Sequence, residues 1–264
     1  MNLNAPDFSR FRHDGLELAY FDAGAPDGKP ILLIHGFASS ATVNWVHPGW
    51  LRTLGEAGRR VIAIDNRGHG ASAKLYDSNA YHPALMAGDA VALLDHLGIE
   101  KADIFGYSMG ARISTFLALE HPGRARSLIL GGLGIGLVHG VGDWDPIAEA
   151  LLAEDPDMIT HARGLMFRNF ADRTRSDRKA LAACIASNRV LLTEEQVARI
   201  AQPTLIGVGT RDDIAGDPHE LAKLMPDARA LDIPNRDHML AVGDRVFKAA
   251  VTDFLDALDR LDLV

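Results

Sequence analysis

The chain has 264 residues, 47% hydrophobic and 23% charged, ordinary proportions for a soluble globular protein with a substantial core. Its formal net charge of −8 disfavours a nucleic-acid partner, because phosphate contact starts from a basic surface. A lone cysteine, Cys184, excludes an internal disulfide, and in the apolar helical context LAACIASN it reads as a buried structural thiol.

The amino-terminal stretch MNLNAPDFSRFRHDG has no apolar signal core, and no window reaches the length of a membrane span. A cytoplasmic protein without membrane attachment is expected. LELAYFDAG reads as a strand, followed by the turn APDGKP and the strand ILLIHG, and the short connection predicts that these two pair antiparallel. A helix near WLRTLGEAG and the strand VIAID come next, then a helix over 83–97 with proline in its first turn. The strand ADIFGY, the helix MGARISTFLALEHP and the strand RSLILGG continue the βαβ rhythm. These strands are almost continuously apolar, as expected where helices cover both faces of a parallel sheet.

From about residue 134 to 200 no good strand is found, only helical patterns over 145–153, 158–170, 178–191 and 194–200. Alternation resumes with PTLIGVG, a helix around 219–225, ARALDIP and a terminal helix over 245–261. The expected organisation is one α/β core, 1–133 and 201–264, interrupted by an all-helical cap, 134–200. There is no internal repeat and no low-complexity stretch.

GYSMG, Gly106 to Gly110, sets a serine where an apolar strand gives way to an amphipathic helix. A tight strand-to-helix turn needs small residues two before and two after it, and the helix N-terminus favours negative charge nearby. Ser108 is therefore a candidate nucleophile, the alternative being a plain helix N-cap. A nucleophilic serine needs a base, and the base an orienting carboxylate. Of the later histidines, His121 ends a helix, His139 and His161 lie in the insertion, and His219 falls within a helix. His238 sits in a loop just after the last core strand and is the candidate base. Asp212 and Asp213, just past the preceding strand, are candidates for the acid, with Asp212 preferred.

Together HGF at 35–37, DNRGHGAS at 65–72, GYSMG at 106–110, GTRDD at 209–213 and RDHM around His238 resemble the α/β-hydrolase superfamily over nearly the whole chain. The resemblance implies an α/β-hydrolase fold, a serine–histidine–acid triad and no cofactor. It selects Asp212, since the acid of such families lies three residues past the glycine ending its strand. It implies an oxyanion hole from the backbone N–H groups of Phe37 and Met109, while DNRGHG and His35 are expected to be scaffold. One departure stands out: Asp237 occupies the place before the histidine where glycine is common, bringing a second carboxylate near the base.

Other motifs are weak. GGLGIG does not complete the dinucleotide fingerprint, and no P-loop lysine, paired-cysteine or H-E-x-x-H pattern implies a nucleotide or metal. The expected activity is hydrolysis of a small carboxylic ester through an acyl-enzyme on Ser108. Carbon–carbon bond hydrolase, lactonase, amidase and perhydrolase chemistry share the triad, and a non-catalytic ligand receptor is the alternative of another class. Serine rather than aspartate at the nucleophile position argues against dehalogenase and epoxide-hydrolase chemistry. Trp144, Leu165, Met166, Phe167 and Phe170 are expected either to line an apolar substrate pocket over Ser108 or to form the cap's own core.

Overall fold

A computed structural model describes residues 6–140 and 142–262, so the first five residues of the amino-terminal stretch lie outside it. Two strands, β1 (Ser9–His13) and β2 (Leu16–Gly24), form a hairpin through the positive-φ pair Asp14 and Gly15. β3 (Pro30–Ile34) runs to a short helical turn at Thr42–Val46 and to α1 (Trp50–Glu56), then β4 (Arg60–Ile64). α2 (Pro83–His96) follows, started by the His82 ring accepting the Ala84 amide and by proline, which has no N–H to satisfy. β5 (Ala102–Tyr107), α3 (Met109–Glu120) and β6 (Ala125–Gly131) complete the first part of the core.

The segment between β6 and the next strand is helical: α4 (Gly136–His139), α5 (Asp145–Leu152), α6 (Ala162–Arg173), α7 (Arg178–Ser187) and α8 (Glu194–Val197). The core resumes with β7 (Thr204–Gly209), α9 (Pro218–Leu224), β8 (Ala228–Ile233) and α10 (Arg245–Leu261). Asp177, Asp217 and Asp244 each cap the helix they precede by accepting its first free amides. α6 begins later than the helical pattern from residue 158 predicts, because a 3₁₀ turn at Pro156–Met158 intervenes and His161 accepts the Gly164 amide to cap the helix.

The strands make one eight-stranded sheet in the order β1-β2-β4-β3-β5-β6-β7-β8, parallel from β4 to β8. The predicted β2–β3 pairing is corrected here. β2 does run opposite to β3, but it pairs with β4, Tyr20 opposite Ile64, and β4 separates the two. A turn of a few residues showed the reversal of direction without showing that a later strand would enter the gap.

Burial alternates along each strand between two helix layers. Leu32 and Ile34 of β3 face the layer of α2, α3 and α9, whereas Ile31 and Leu33 face α1 and α10. On the second side the aromatic rings of Trp45, Trp50, Phe105 and Phe247 pack at centroid separations of 4.7 to 5.6 Å. No helix among the described residues is long and apolar enough to cross a membrane.

Candidate active site

The parallel strands deliver their following loops to one end of the sheet, where α/β folds place their chemistry. Ser108 follows β5, Asp212 follows β7, His238 follows β8 and Phe37 follows β3.

Ser108 has φ 53° and ψ −112°, a conformation that side-chain-bearing residues adopt only under constraint. The turn closes because its glycines leave room: a Cβ on Gly106 would lie 2.2 Å from the Gly110 carbonyl oxygen, and one on Gly110 1.9 Å from that of Ile34. The Ser108 amide donates to Gly131 O at 2.7 Å, tying the turn to the end of β6. Its side chain caps nothing in α3, so a plain N-cap does not account for it.

The serine hydroxyl is 2.9 Å from His238 Nε2, and His238 Nδ1 is 2.8 Å from Asp212 Oδ2. An ionised carboxylate only accepts, so Nδ1 carries the proton and Nε2 offers its lone pair to the Ser108 hydroxyl. The Ile214 and Ala215 amides donate to the other Asp212 oxygen at 2.8 and 3.0 Å. Burial works to raise the Asp212 pKa, but the His238 hydrogen bond and charge and the two amides outweigh it and leave the carboxyl below its ordinary 3.8. Tyr107, beneath the loop, donates its hydroxyl to His238 O at 2.6 Å and so fixes the backbone that carries the ring.

Asp213 turns outward, 82% exposed, toward Arg163. The Asp237 carboxylate accepts the Met239 and Leu240 amides at 3.0 and 2.8 Å, closing its own turn rather than bonding the imidazole. The departure from glycine is thereby used as a loop cap.

Phe37 and Met109 border one small chamber with Ser108, and neither amide meets an acceptor among the described residues. The loop carrying Phe37 is held by buried polar groups. The Asn66 amide donates to His35 Nε2 at 3.0 Å, so His35 Nδ1–H donates to Gly36 O at 2.7 Å. Asn44 Oδ1 accepts the Gly36 amide at 3.0 Å. Asp65 accepts the amides of Ala41 and Ala71, each at 2.7 Å, and Arg67 pairs with buried Asp89. DNRGHG is thus scaffold, as expected of it. Burial lowers His35 to about 4, and burial together with the His35 charge lowers His69 to about 3.

A cavity of about 180 Å³ opens beside Ser108 and His238, walled by Phe37, Val43, Pro48, Phe167, Phe170 and Val242. Phe167 and Phe170 of α6 thus reach the serine, and Phe167 also packs on Phe37 at 5.5 Å between ring centroids. Met166 lines a second space with His238 and Asp213. Trp144 does not line the Ser108 cavity; its ring lies under Arg189 instead. Leu165 lines none of these cavities. Arg112, Arg189 and Asn44 were not singled out in the sequence, since a helical arginine and a loop asparagine carry no signal of what they face. Among the described residues no group of three or more His, Cys, Asp or Glu is placed to hold a metal ion.

The α/β hydrolase fold family matches residues 29–163. The chain belongs to that family. The chain is 31% identical to the dihydrolipoyllysine-residue acetyltransferase component of the acetoin cleaving system of Pseudomonas putida, over 86% of its own length and 63% of the relative's. It is 37% identical to the 2-hydroxymuconate semialdehyde hydrolase of Pseudomonas sp. (strain CF600), over 49% of its own length and 44% of the relative's. The chain thus spans less than two thirds of these curated relatives. A hydrolase from Pseudomonas aeruginosa PA01 superposes with a TM-score of 0.76 at 27% identity, covering 96% of this chain and 99% of that structure.

Proposed function

We propose that the protein is a serine hydrolase that cleaves a small carboxylic ester through an acyl-enzyme on Ser108, with the helices of 134–200 acting as a cap. The observation that carries this reading is the hydrogen-bonded chain from Asp212 through His238 to Ser108, at 2.8 and 2.9 Å, beside the open Phe37 and Met109 amides. Ser108 Oγ bonds to the ester carbon as its proton passes to His238 Nε2, and the C=O electron pair moves onto oxygen. The two amides hold that oxyanion, an effect worth about 3 kcal/mol of barrier per donor. Collapse restores C=O and breaks the ester C–O bond, and the alcohol leaves with the proton from Nε2. Water then gives its proton to Nε2 and adds to the acyl carbon. The C–Oγ bond breaks, the proton returns to Ser108, and the acid departs. The apolar cavity of about 180 Å³ suits one modest apolar portion of the ester.

Labelling by a fluorophosphonate, with Ser108→Ala as control, tests the nucleophile, and an ester panel of graded chain length tests the substrate. Absence of labelling on the folded wild type would sink the reading. The 2-hydroxymuconate semialdehyde hydrolase relative favours a second reading, hydrolysis of a carbon–carbon bond with the same three residues. Turnover of dienoic keto acids with negligible ester hydrolysis would select it.

A further inference from the structure

Two arginines stand beside Ser108, and among the described residues no carboxylate pairs with either. Arg112 lies one turn along α3 from the serine, is buried, and meets only carbonyls: Nη1 donates to Val190 O at 2.5 Å and Nη2 to Gly136 O at 3.4 Å. Arg189, just past α7, lies over the Trp144 ring. Its Nε is enclosed and without an acceptor, and among the described residues neither guanidinium forms an ion pair with a carboxylate. Burial pushes Arg112 down to about 10. Burial, then the charges of Arg112 and Arg163, push Arg189 well below its ordinary range. Both arginines line the chamber of about 20 Å³ that also contains Ser108, Phe37 and Met109. Both also border a space of about 290 Å³ beyond it, with His139, Trp144 and Leu191.

A guanidinium drawn out of water and answered only by carbonyls or a ring keeps a desolvation cost, because neither neutralises its charge. Two together, repelling each other and lining one chamber, are matched to an anion that arrives with the substrate. The planar guanidinium fork suits a carboxylate. We propose that Arg189, assisted by Arg112, binds a carboxylate on the acyl portion of the substrate, so that the enzyme acts on half-esters of short dicarboxylic acids; this rests on the serine-hydrolase reading above. The acyl portion is assigned to the arginine side because it stays tethered to Ser108, with its carboxylate end directed to the space of about 290 Å³ that both arginines border. The alcohol then occupies and leaves by the apolar cavity. Arg112 lies one helical turn, about 5.4 Å, from Ser108, so a chain of a few carbons spans from the acyl carbon to the guanidinium pair.

The test compares monoethyl succinate and monoethyl glutarate with ethyl butyrate and ethyl valerate, and Arg189→Gln and Arg189→Lys with wild type. In the wild type, kcat/KM for the half-esters is expected to exceed that for the neutral esters at least tenfold, chiefly through KM. The ratio should collapse toward one in Arg189→Gln and return in part in Arg189→Lys, which restores the charge without the fork. Equal or inverted preference in the wild type, or an unchanged ratio in Arg189→Gln, overturns the proposal. Calorimetry of monoethyl glutarate on Ser108→Ala reads the carboxylate contact without turnover. Binding there that is lost in Ser108→Ala/Arg189→Gln supports the contact, and no binding overturns it. Absence of fluorophosphonate labelling, by contrast, overturns the serine chemistry alone.

Discussion

At Ser108 the backbone is held at φ 53° by what surrounds it, and each neighbouring glycine marks a place where another chain segment passes too close for a Cβ. Gly110→Ala is therefore expected to destabilise the fold by about 1–3 kcal/mol and to misplace the serine, with a lowered urea midpoint and at least a tenfold loss of kcat. Under the proposed ester hydrolysis, Ser108→Ala should abolish turnover while leaving the circular dichroism spectrum and the melting temperature close to wild type. Asp212→Asn offers Nδ1 an amide that can also donate, so the imidazole loses its enforced tautomer. A fall in kcat of about 10³–10⁴ is expected from stopped assays at neutral pH. The Asp212 carboxyl is depressed in the fold, so its stabilising charge is complete above the ordinary carboxylate pKa. That contribution is lost only as pH falls through its lower folded value. The three residues of this chain were legible from type and order alone, since a strand must deliver each to the same end of a parallel sheet. Which of Asp212 and Asp213 faces inward was open until the Ile214 and Ala215 amides were seen to hold Asp212.

Among the elements, α10 is fastened to the start of β5 by charge. Asp103, with its side chain fully buried, accepts Ser127 Oγ at 2.6 Å and pairs with Arg126 and Arg59. Those arginines in turn reach Asp259 on α10, each at 2.7 Å. Removing one member of a buried ion pair leaves the other charge uncompensated. Asp103→Ala is expected to lower unfolding free energy by about 3 kcal/mol, read from urea denaturation, with little change in KM. No pattern of types in the sequence pointed to this cluster, because its members are far apart in the chain. Apolar strands and helical spacing were legible, and the core elements stand close to where periodicity put them. β1 was not, because SRFRH has one buried residue, Phe11, among polar ones and borrows its strand form from β2. The roles of the helices of 134–200 were only half legible: spacing showed the apolar faces of α6 but not that Phe167 and Phe170 would reach Ser108 while Trp144 turned to an arginine.

For the whole molecule, the buried rings of His35 and His69 set an acid limit. Both have folded pKa values below the ordinary 6.5, at about 4 and about 3, so below pH 6.5 the unfolded chain binds protons that the fold refuses. Their contribution to stability is complete above 6.5 and is lost as pH falls toward 4, at up to roughly 1.4 kcal/mol per pH unit for each ring. Urea midpoints measured from pH 7 to pH 4.5 should fall steeply in the wild type and less steeply in His69→Gln. An equal slope in the two proteins would show that these rings are not the cause. The order of the strands across the sheet also has a consequence for synthesis. When β2 and β3 leave the ribosome they cannot close a hairpin on each other, because the place between them belongs to β4. The β1–β2 hairpin can join the sheet only once residues 60–64 are made, and the serine turn, anchored to Gly131 O, is tied down only at the end of β6. Asp212 and His238 emerge only after the whole helical segment has been made. A nascent chain that has built the Ser108 turn therefore still lacks Asp212 and His238, and the three side chains can meet only after β8 has been made.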